Sequence, residues 1–329
     1  MRFDRRTLLR STVAAGATAV CPWQQSGAAN AAPVASPVAG LPPDEDGYEL
    51  WLRYRPVADP QLLASYRAAT AAVIVLASDT VAPSIGNELD RACKEMLDKA
   101  PAVAKTISVD GTILIGTPRI SKSIHDAIDP KQMAGLGDEG FIVKSATVDG
   151  HRCTLIAANS DHGLLYGTFR FIEQMQLRHP IDTLDFHDAP RANIRVVDHW
   201  DDMDRTVTRG YAGLSIFQFS DLTASNPRYT DYARLLASIG INGTVINNVN
   251  ASSDFLDPGM FPGYASLAGI LRQWGIKLFL SINFAAPIDL TARDANPIAT
   301  ADPFDKNVQN WWAGTIDALY KAVPDFGGF

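Results

Sequence analysis

Cysteine is scarce: three residues in 329 are too few for a disulfide scaffold, so the fold must rest on its apolar core. Long apolar runs are missing too, since nothing approaches the ~18 consecutive residues of a membrane span. Positive charge is outweighed, with 29 Lys+Arg against 36 Asp+Glu and a net charge of -7. The first 31 residues carry +3 through Arg2, Arg5, Arg6 and Arg10 against Asp4, which leaves -10 for the remainder. A body that acidic is a poor fit to sequence-independent nucleic-acid binding, which works by neutralising phosphates. What is present is ordinary globular composition: 47% hydrophobic, 20% charged and 9% aromatic residues, with a mean hydropathy of -0.02. Mainly disordered, collagen-like and polytopic membrane chains are excluded, and the length suits about two domains.

The amino terminus reads as an address. Asp4-Arg5-Arg6-Thr7-Leu8-Leu9-Arg10 leads into the weakly apolar run Ser11 to Val20, a pattern that resembles a twin-arginine export signal. Ala29-Asn30-Ala31 places cleavage after Ala31, giving a signal peptide over 1–31 and a periplasmic or extracellular destination. Cys21 is not expected to carry a lipid anchor, because the bulky Val20 precedes it. That route exports folded proteins, so Cys93 and Cys153 need not pair. Residues 32–46 are small, polar and proline-rich (Pro33, Pro37, Pro42, Pro43), the composition of a linker.

Two rhythms follow. Over 47–189 the pattern is mixed and predicts a small α+β domain with helices over one face of its sheet. Tyr48 to Tyr54 alternates like a strand, Ala72 to Leu76 and Thr112 to Ile115 are short apolar strands, and Asn87 to Lys99 has helical spacing. Glu139 to Ser145 and Arg152 to Ala157 form an antiparallel pair through the turn signal Asp149-Gly150. Ser160 caps a helix running to Leu177, with Leu164, Leu165, Phe169, Ile172 and Met175 along one face.

Over 190–329 strand and helix alternate. Strands are predicted at Asn193 to Val197, Gly243 to Val249 and Ile276 to Ile282, and a fourth opens at Phe326. Helices separate them at Tyr229 to Ile239, Tyr264 to Trp274 and Asp305 to Ala322. Such βα units build a parallel sheet, either doubly wound or closed into a barrel. No Gly-x-Gly-x-x-Gly follows the first of these strands, and neither a P-loop nor a Gly-x-Ser-x-Gly elbow occurs. Polar and aromatic residues follow each strand instead: His199-Trp200-Asp201-Asp202, Asn247-Asn248-Val249-Asn250 and Ser281-Ile282-Asn283-Phe284. Active sites of (β/α)8 barrels lie at those strand ends, which favours the barrel, here three and a half units of the eight.

Each cluster has a plain meaning beside the chemical one. Asp201, Asp202 and Asp204 are either ordinary loop acids or, beside Trp200, part of a sugar site where an aromatic face packs on the ring and carboxylates accept hydroxyl protons. His199 reads as a structural histidine, because no second His or Cys stands at ligand spacing; no metal or other cofactor is expected. The asparagines are turn formers or hydroxyl-recognition groups.

The strings His199-Trp200-Asp201-Asp202-Met203-Asp204 and Arg209-Gly210-Tyr211-Ala212-Gly213 closely resemble the start of the barrel in family 67 α-glucuronidases. So do Arg228-Tyr229-Thr230-Asp231-Tyr232-Ala233-Arg234 and the stretch from Ser238 through Asn247-Asn248-Val249-Asn250-Ala251. The likeness continues through Thr300-Ala301-Asp302-Pro303 and Gln309-Asn310-Trp311-Trp312 to Pro324-Asp325-Phe326-Gly327-Gly328-Phe329. Gly163-Leu164-Leu165-Tyr166-Gly167 is similar to the small domain ahead of the barrel in that family and in β-hexosaminidases.

The resemblance implies removal of (4-O-methyl-)glucuronic acid from xylo-oligosaccharides by inverting hydrolysis, with those oligosaccharides as the partner and a homodimer as one arrangement of the full-length form. Inversion needs an acid and a base about 6.5–9.5 Å apart. In the family both come after the Phe-Gly-Gly-Phe strand, so the resemblance implies a fragment whose catalytic residues lie past Phe329. Alternatives are a non-catalytic carbohydrate-binding remnant and a β-hexosaminidase-like barrel glycosidase. For binding, the resemblance points to Trp200 beside the sugar ring, with Asp201 and Arg209 fixing its loop. Arg209 is equally well placed for an ion pair within that loop. Asn247, Val249 and Asn250 line the pocket from the second strand and Asn283 from the third. Asp202 stands where many members have Asn. The expectation for the chain made alone is no hydrolysis, a persisting first domain and a poorly folded 190–329 half.

Overall fold

The computed structural model describes residues 46–329, so the predicted signal peptide and all but the last residue of the predicted linker lie outside the described residues. Within the unit Trp51–Phe329 the chain builds two sheets. The first comprises β1 (Ala72–Leu76), β2 (Ala102–Val103), β3 (Thr112–Gly116), β4 (Phe141–Val148), β5 (His151–Ala158) and β6 (Asp185–Asp188) in the order β2-β1-β3-β5-β4-β6. β2, β1, β3 and β5 run parallel, and β4 is antiparallel to both β5 and β6. The β4–β5 connection is the predicted two-residue turn, with Asp149 at φ 51° and Gly150 at φ 84°, as a type I′ turn requires.

Five helices serve this sheet: α1 (Pro60–Ala69), α2 (Ala82–Leu97), α3 (Lys122–Ala127), α4 (Pro130–Ala134) and α5 (Asp161–Gln176). Val73, Ile113, Ile115, Val143 and Ile156 face α2 and α5, while Ile74, Leu114, Ile142 and Leu155 face Ile124, Ile128 and Met133 of the α3–α4 side. The expectation of one covered face is therefore corrected. Strands β1 and β3 are apolar without alternation because they are buried on both sides. Helix α5 starts where predicted, with the Ser160 side chain accepting from Gly163 N. Gly163 lets it sit close, since a Cβ there would lie 2.6 Å from Gly140 O. Cys93 on α2 and Cys153 on β5 are both buried and unpaired.

The second sheet holds β7 (Val196–Asp198), β8 (Gly243–Val245) and β9 (Lys277–Phe279), all parallel and in that order. Its helices are α6 (Pro227–Ser238), α7 (Phe261–Arg272), α8 (Ala286–Thr291) and α9 (Lys306–Ala322). The predicted fourth strand appears as a parallel bridge between Phe279 and Gly328, flanked by Gly327 N donating to Leu278 O at 2.8 Å. Every strand of this sheet is shorter than its sequence suggests. β8 and β9 end early because Asn247 and Ser281 bond to each other instead of extending the ladder. β7 starts late, Arg195 N bonding the Asn242 side chain, and runs on to Asp198. Thr244 and Leu278 are buried toward the helices. The opposite face carries Asp198, Lys277 and the half-buried Phe279 ring, whose seat requires Gly243 and Gly327: Cβ atoms there would come within 2.6 and 2.3 Å of it.

Tyr48 to Tyr54 is not a strand. Leu50–Leu52 makes a 3-10 turn, and Trp51 within it and Tyr54 after it make contacts with α6. Trp51 Nε1 donates to Ser238 Oγ at 2.9 Å, and the Tyr54 hydroxyl donates to the buried Glu88 of α2. The other Glu88 oxygen accepts from Arg234 Nε of α6 at 2.7 Å, and the guanidinium lies over the Tyr54 ring. Burial and the Glu88 charge both push the Tyr54 hydroxyl well above its usual range. A second link joins Arg195 to Glu139 at 2.8 Å, with Asn242 Nδ2 donating to the same carboxylate at 3.1 Å. One continuous apolar cluster runs across residue 190, from α2 and α5 to α6 and α7.

Candidate functional site

The loops after β7, β8 and β9 converge on one end of the second sheet, where parallel α/β proteins place their ligands. They are stitched strand to strand. Asn248 N donates to Asp201 O at 2.9 Å, and Asn248 Nδ2 to Asp202 Oδ1 at 3.1 Å, joining the first loop to the second. Asn247 and Ser281 exchange two bonds, Asn247 Nδ2 to Ser281 O at 3.0 Å and Ser281 N to Asn247 Oδ1 at 2.9 Å, joining the second to the third. Asn247 therefore replaces the ladder beyond β8 with a side-chain bridge, and it is fully buried.

The predicted residues divide by exposure. Asp201, Asn247 and Asn248 are buried within the stitching, whereas Trp200, Val249, Asn250 and Phe284 stand exposed at the rim. Asn250 N bonds Asn248 Oδ1 at 2.9 Å, which leaves the Asn250 side chain at the surface. Asn283 is half-buried, and its Oδ1 accepts from Ala285 N at 2.9 Å ahead of α8. Asp202 is half-buried, held by Asn248 and within 3.4 Å of Thr206 Oγ1. Arg209 belongs to the short 3-10 turn Thr208–Gly210; its side chain lies outside what the structure describes.

Asp201 is held from several directions. Its Oδ2 accepts the Ser215 hydroxyl, and its Oδ1, also buried, has no hydrogen-bond partner and lies 3.5 Å from His199 Nδ1. His199 Nε2 meets the Tyr232 hydroxyl of α6 at 2.6 Å, and that hydroxyl meets Thr244 Oγ1 of β8 at 2.8 Å. Burial, reinforced by the Asp201 charge, pushes the Tyr232 hydroxyl well above its usual range. Sequence reasoning missed Ser215 and Tyr232; Tyr232 lay within a quoted string, and Ser215 two residues past the end of one. Among the described residues no three His, Cys, Asp or Glu side chains gather as for a metal. Gly135 to Gly140 spells Gly-x-Gly-x-x-Gly, yet it follows α4 and precedes β4, the reverse of the dinucleotide context. A cavity of about 600 Å³ between α5 and the end of α6, bordered by Trp51, Tyr166, Leu177 and Ile239, includes none of the predicted residues.

Parallel strands with helices on one face and polar loops gathered at their carboxyl ends define an α/β protein whose candidate site lies at the strand ends. Residues 50–171 match the glycosyl hydrolase family 67 N-terminus, and residues 174–329 match the glycosyl hydrolase family 67 middle domain. The chain belongs to glycosyl hydrolase family 67. It is 35% identical over 295 residues to a probable alpha-glucuronidase A of Aspergillus fumigatus, covering 88% of this chain and 33% of that one. To alpha-glucuronidase A of Emericella nidulans it is 34% identical over 305 residues, covering 87% and 33%. The chain thus spans about a third of the length of these curated relatives. Its fold is also similar to that of a family GH115 4-O-methyl-alpha-glucuronidase with specificity for decorated arabinogalactans (TM-score 0.51, 14% identity, 78% of this chain and 41% of that one). A GH138 enzyme targeting pectin rhamnogalacturonan II shows the same likeness (TM-score 0.50, 16% identity, 78% and 30%).

Proposed function

We propose that this chain provides the sugar-recognition rim of an α-glucuronidase that removes (4-O-methyl-)glucuronic acid from xylo-oligosaccharides by inversion during xylan breakdown. In this reading β7, β8, β9 and the strand opening at Phe326 are the first units of a (β/α)8 barrel. The observation that carries it is the exposure of Trp200, Val249 and Asn250 on two strand-end loops that Asn248 ties together, in a chain whose relatives are alpha-glucuronidases. An aromatic face suits the apolar side of a sugar ring, and the Asn250 amide can both donate to and accept from its hydroxyls.

The acid and base of inversion are assigned elsewhere, because Asp201 is buried and held by Ser215 while Asp202 is held by Asn248. Neither is free to shuttle protons on two faces of a glycosidic bond. Export by the twin-arginine route, with a mature start near Ala32, belongs to the same proposal and would place the protein where xylan fragments occur. Titration of the 329-residue chain with a glucuronic-acid-substituted xylo-oligosaccharide should show binding that weakens at least ~10-fold, about 1.4 kcal/mol, in Trp200→Ala. No glucuronic acid should be released. Equal binding by Trp200→Ala would refute the rim, and turnover by this chain would refute the assignment of acid and base elsewhere.

A further inference from the structure

We infer that His199 and Tyr232 are positioning residues for Trp200, acting through a one-way hydrogen-bond relay that runs from Thr244 on β8 to the buried Asp201. This deepens the proposed function and rests on Trp200 being the sugar platform. Trp200 lies in sequence between His199 and Asp201, both of which turn inward while the indole stays exposed. Whatever fixes those two neighbours fixes the backbone from which the indole projects.

The direction of the relay follows from donors and acceptors. Phe217 N donates to Ser215 Oγ at 2.9 Å, so the Ser215 hydrogen is free to go to Asp201 Oδ2, as observed. Asp201 Oδ1 is sealed from solvent and needs a donor, since a buried carboxylate oxygen left bare is costly. The nitrogen facing it is His199 Nδ1 at 3.5 Å, a few tenths of an ångström beyond a hydrogen bond. With the proton on Nδ1, the Nε2 lone pair must accept, and the group it meets is the Tyr232 hydroxyl at 2.6 Å. That hydroxyl, having given its hydrogen to the imidazole, accepts from Thr244 Oγ1 at 2.8 Å. With a neutral imidazole beside an ionised Asp201, the other tautomer would set the Nδ1 lone pair against Asp201 Oδ1, acceptor to acceptor. The imidazole is also held by ring contacts, edge-on to Phe217 at 5.2 Å and to Tyr232 at 5.4 Å. The backbone on the far side is tied as well, since Trp200 O accepts from Thr208 N at 2.9 Å.

The test uses the 329-residue chain labelled with 5-fluorotryptophan, the Trp200 fluorine line being assigned with Trp200→Phe. Tyr232→Phe keeps the ring packing and deletes only the hydroxyl. It should broaden or split the Trp200 line in the sugar-free chain, leave the line of the buried Trp274 in place, and weaken binding of the substituted xylo-oligosaccharide roughly five- to ten-fold. Nitrogen-15 spectra of the unsubstituted chain, with His199 assigned through His199→Gln, should find the proton on Nδ1 and none on Nε2. An unchanged Trp200 line in Tyr232→Phe, or a His199 proton on Nε2 of the neutral ring, would overturn the relay. If neither protein binds the sugar while the Trp200 line still responds to Tyr232→Phe, the sugar-binding reading fails and the relay stands as a device that positions this indole.

Discussion

The two sheets solve the same problem with different completeness. In the six-stranded sheet a buried side chain meets helices whichever way it points, as Ile113 and Leu114 do on successive positions of β3. In the three-stranded sheet Leu278 points into the helix layer, while its neighbours Lys277 and Phe279 point to a face with no such layer. A strand gains most of its packing energy from the two faces it buries, so residue for residue the second sheet is held more weakly by its own contacts. What it lacks there it draws from the first: the shared apolar cluster and the Glu88–Arg234 and Glu139–Arg195 links. The half expected to fold poorly in this chain is thus fastened to a better-packed neighbour.

Cutting that fastening should have the largest effect. Arg234→Met leaves the buried Glu88 short of its guanidinium partner, and should cost about 3–5 kcal/mol in urea unfolding. It should also make cleavage in 190–329 precede cleavage in the first sheet under limited proteolysis. A loss under ~1 kcal/mol, with unchanged cleavage order, would break the comparison. Next comes truncation of one phenylalanine from each region. Phe171→Ala, wholly buried, should cost about 3–5 kcal/mol, whereas Phe279→Ala on the open face should cost about 1–2 kcal/mol. Equal losses would mean that the face under Phe279 is as well covered as the core around Phe171. Gly243→Ala should cost about 1–3 kcal/mol through its clash with the Phe279 ring, and most of that should vanish in a Phe279→Ala background. A cost that persists in the double variant would move the strain to Val196, the other neighbour at 2.9 Å.

The smallest effect is electrostatic. Arg272 of α7 donates to Asp325 through Nε at 2.7 Å and Nη2 at 2.5 Å, and this holds the Asp325 carboxyl below its usual range. Stability from a depressed carboxyl is complete above the unfolded group's range and is lost as pH falls through the folded value. Both side chains are about a third or more exposed, so the pair contributes only about 0.2–1 kcal/mol. Asp325→Asn should lower stability by that amount near neutral pH and flatten its decline below about pH 4. An unaltered acid profile would show that other carboxylates carry it.

Local chemistry was legible in the sequence and tertiary chemistry was not. The Asp149-Gly150 turn and the Ser160 cap were readable because each depends on a few adjacent residues. Strand β6, Asp-Phe-His-Asp, has no strand-like pattern at all; it exists because β4 offers an edge to pair with. Tyr48 to Tyr54 has the alternation of a strand, but Trp51 and Tyr54 spend it on Ser238 and Glu88. Helices α1, α3, α4 and α8 escaped notice, the last three because five or six residues carry too little periodicity. At the candidate site, the placement of Trp200 and the asparagines in loops that follow strands was readable from the alternation of strands and helices. The division into buried stitching and exposed rim did not, since Ser281, Ser215 and Tyr232 arrive from other elements.

Cys93, buried on α2 against the shared core, has its thiol pushed up to about 12, chiefly by burial. The reactive thiolate is therefore nearly absent while α2 stays seated, and alkylating reagents have no path to it. Each labelling event at Cys93 must await an opening of that helix, so its labelling rate clocks the helix's detachment. Followed apart from Cys21 and Cys153, Cys93 is thus a built-in stopwatch for the helix that holds Glu88 against Arg234.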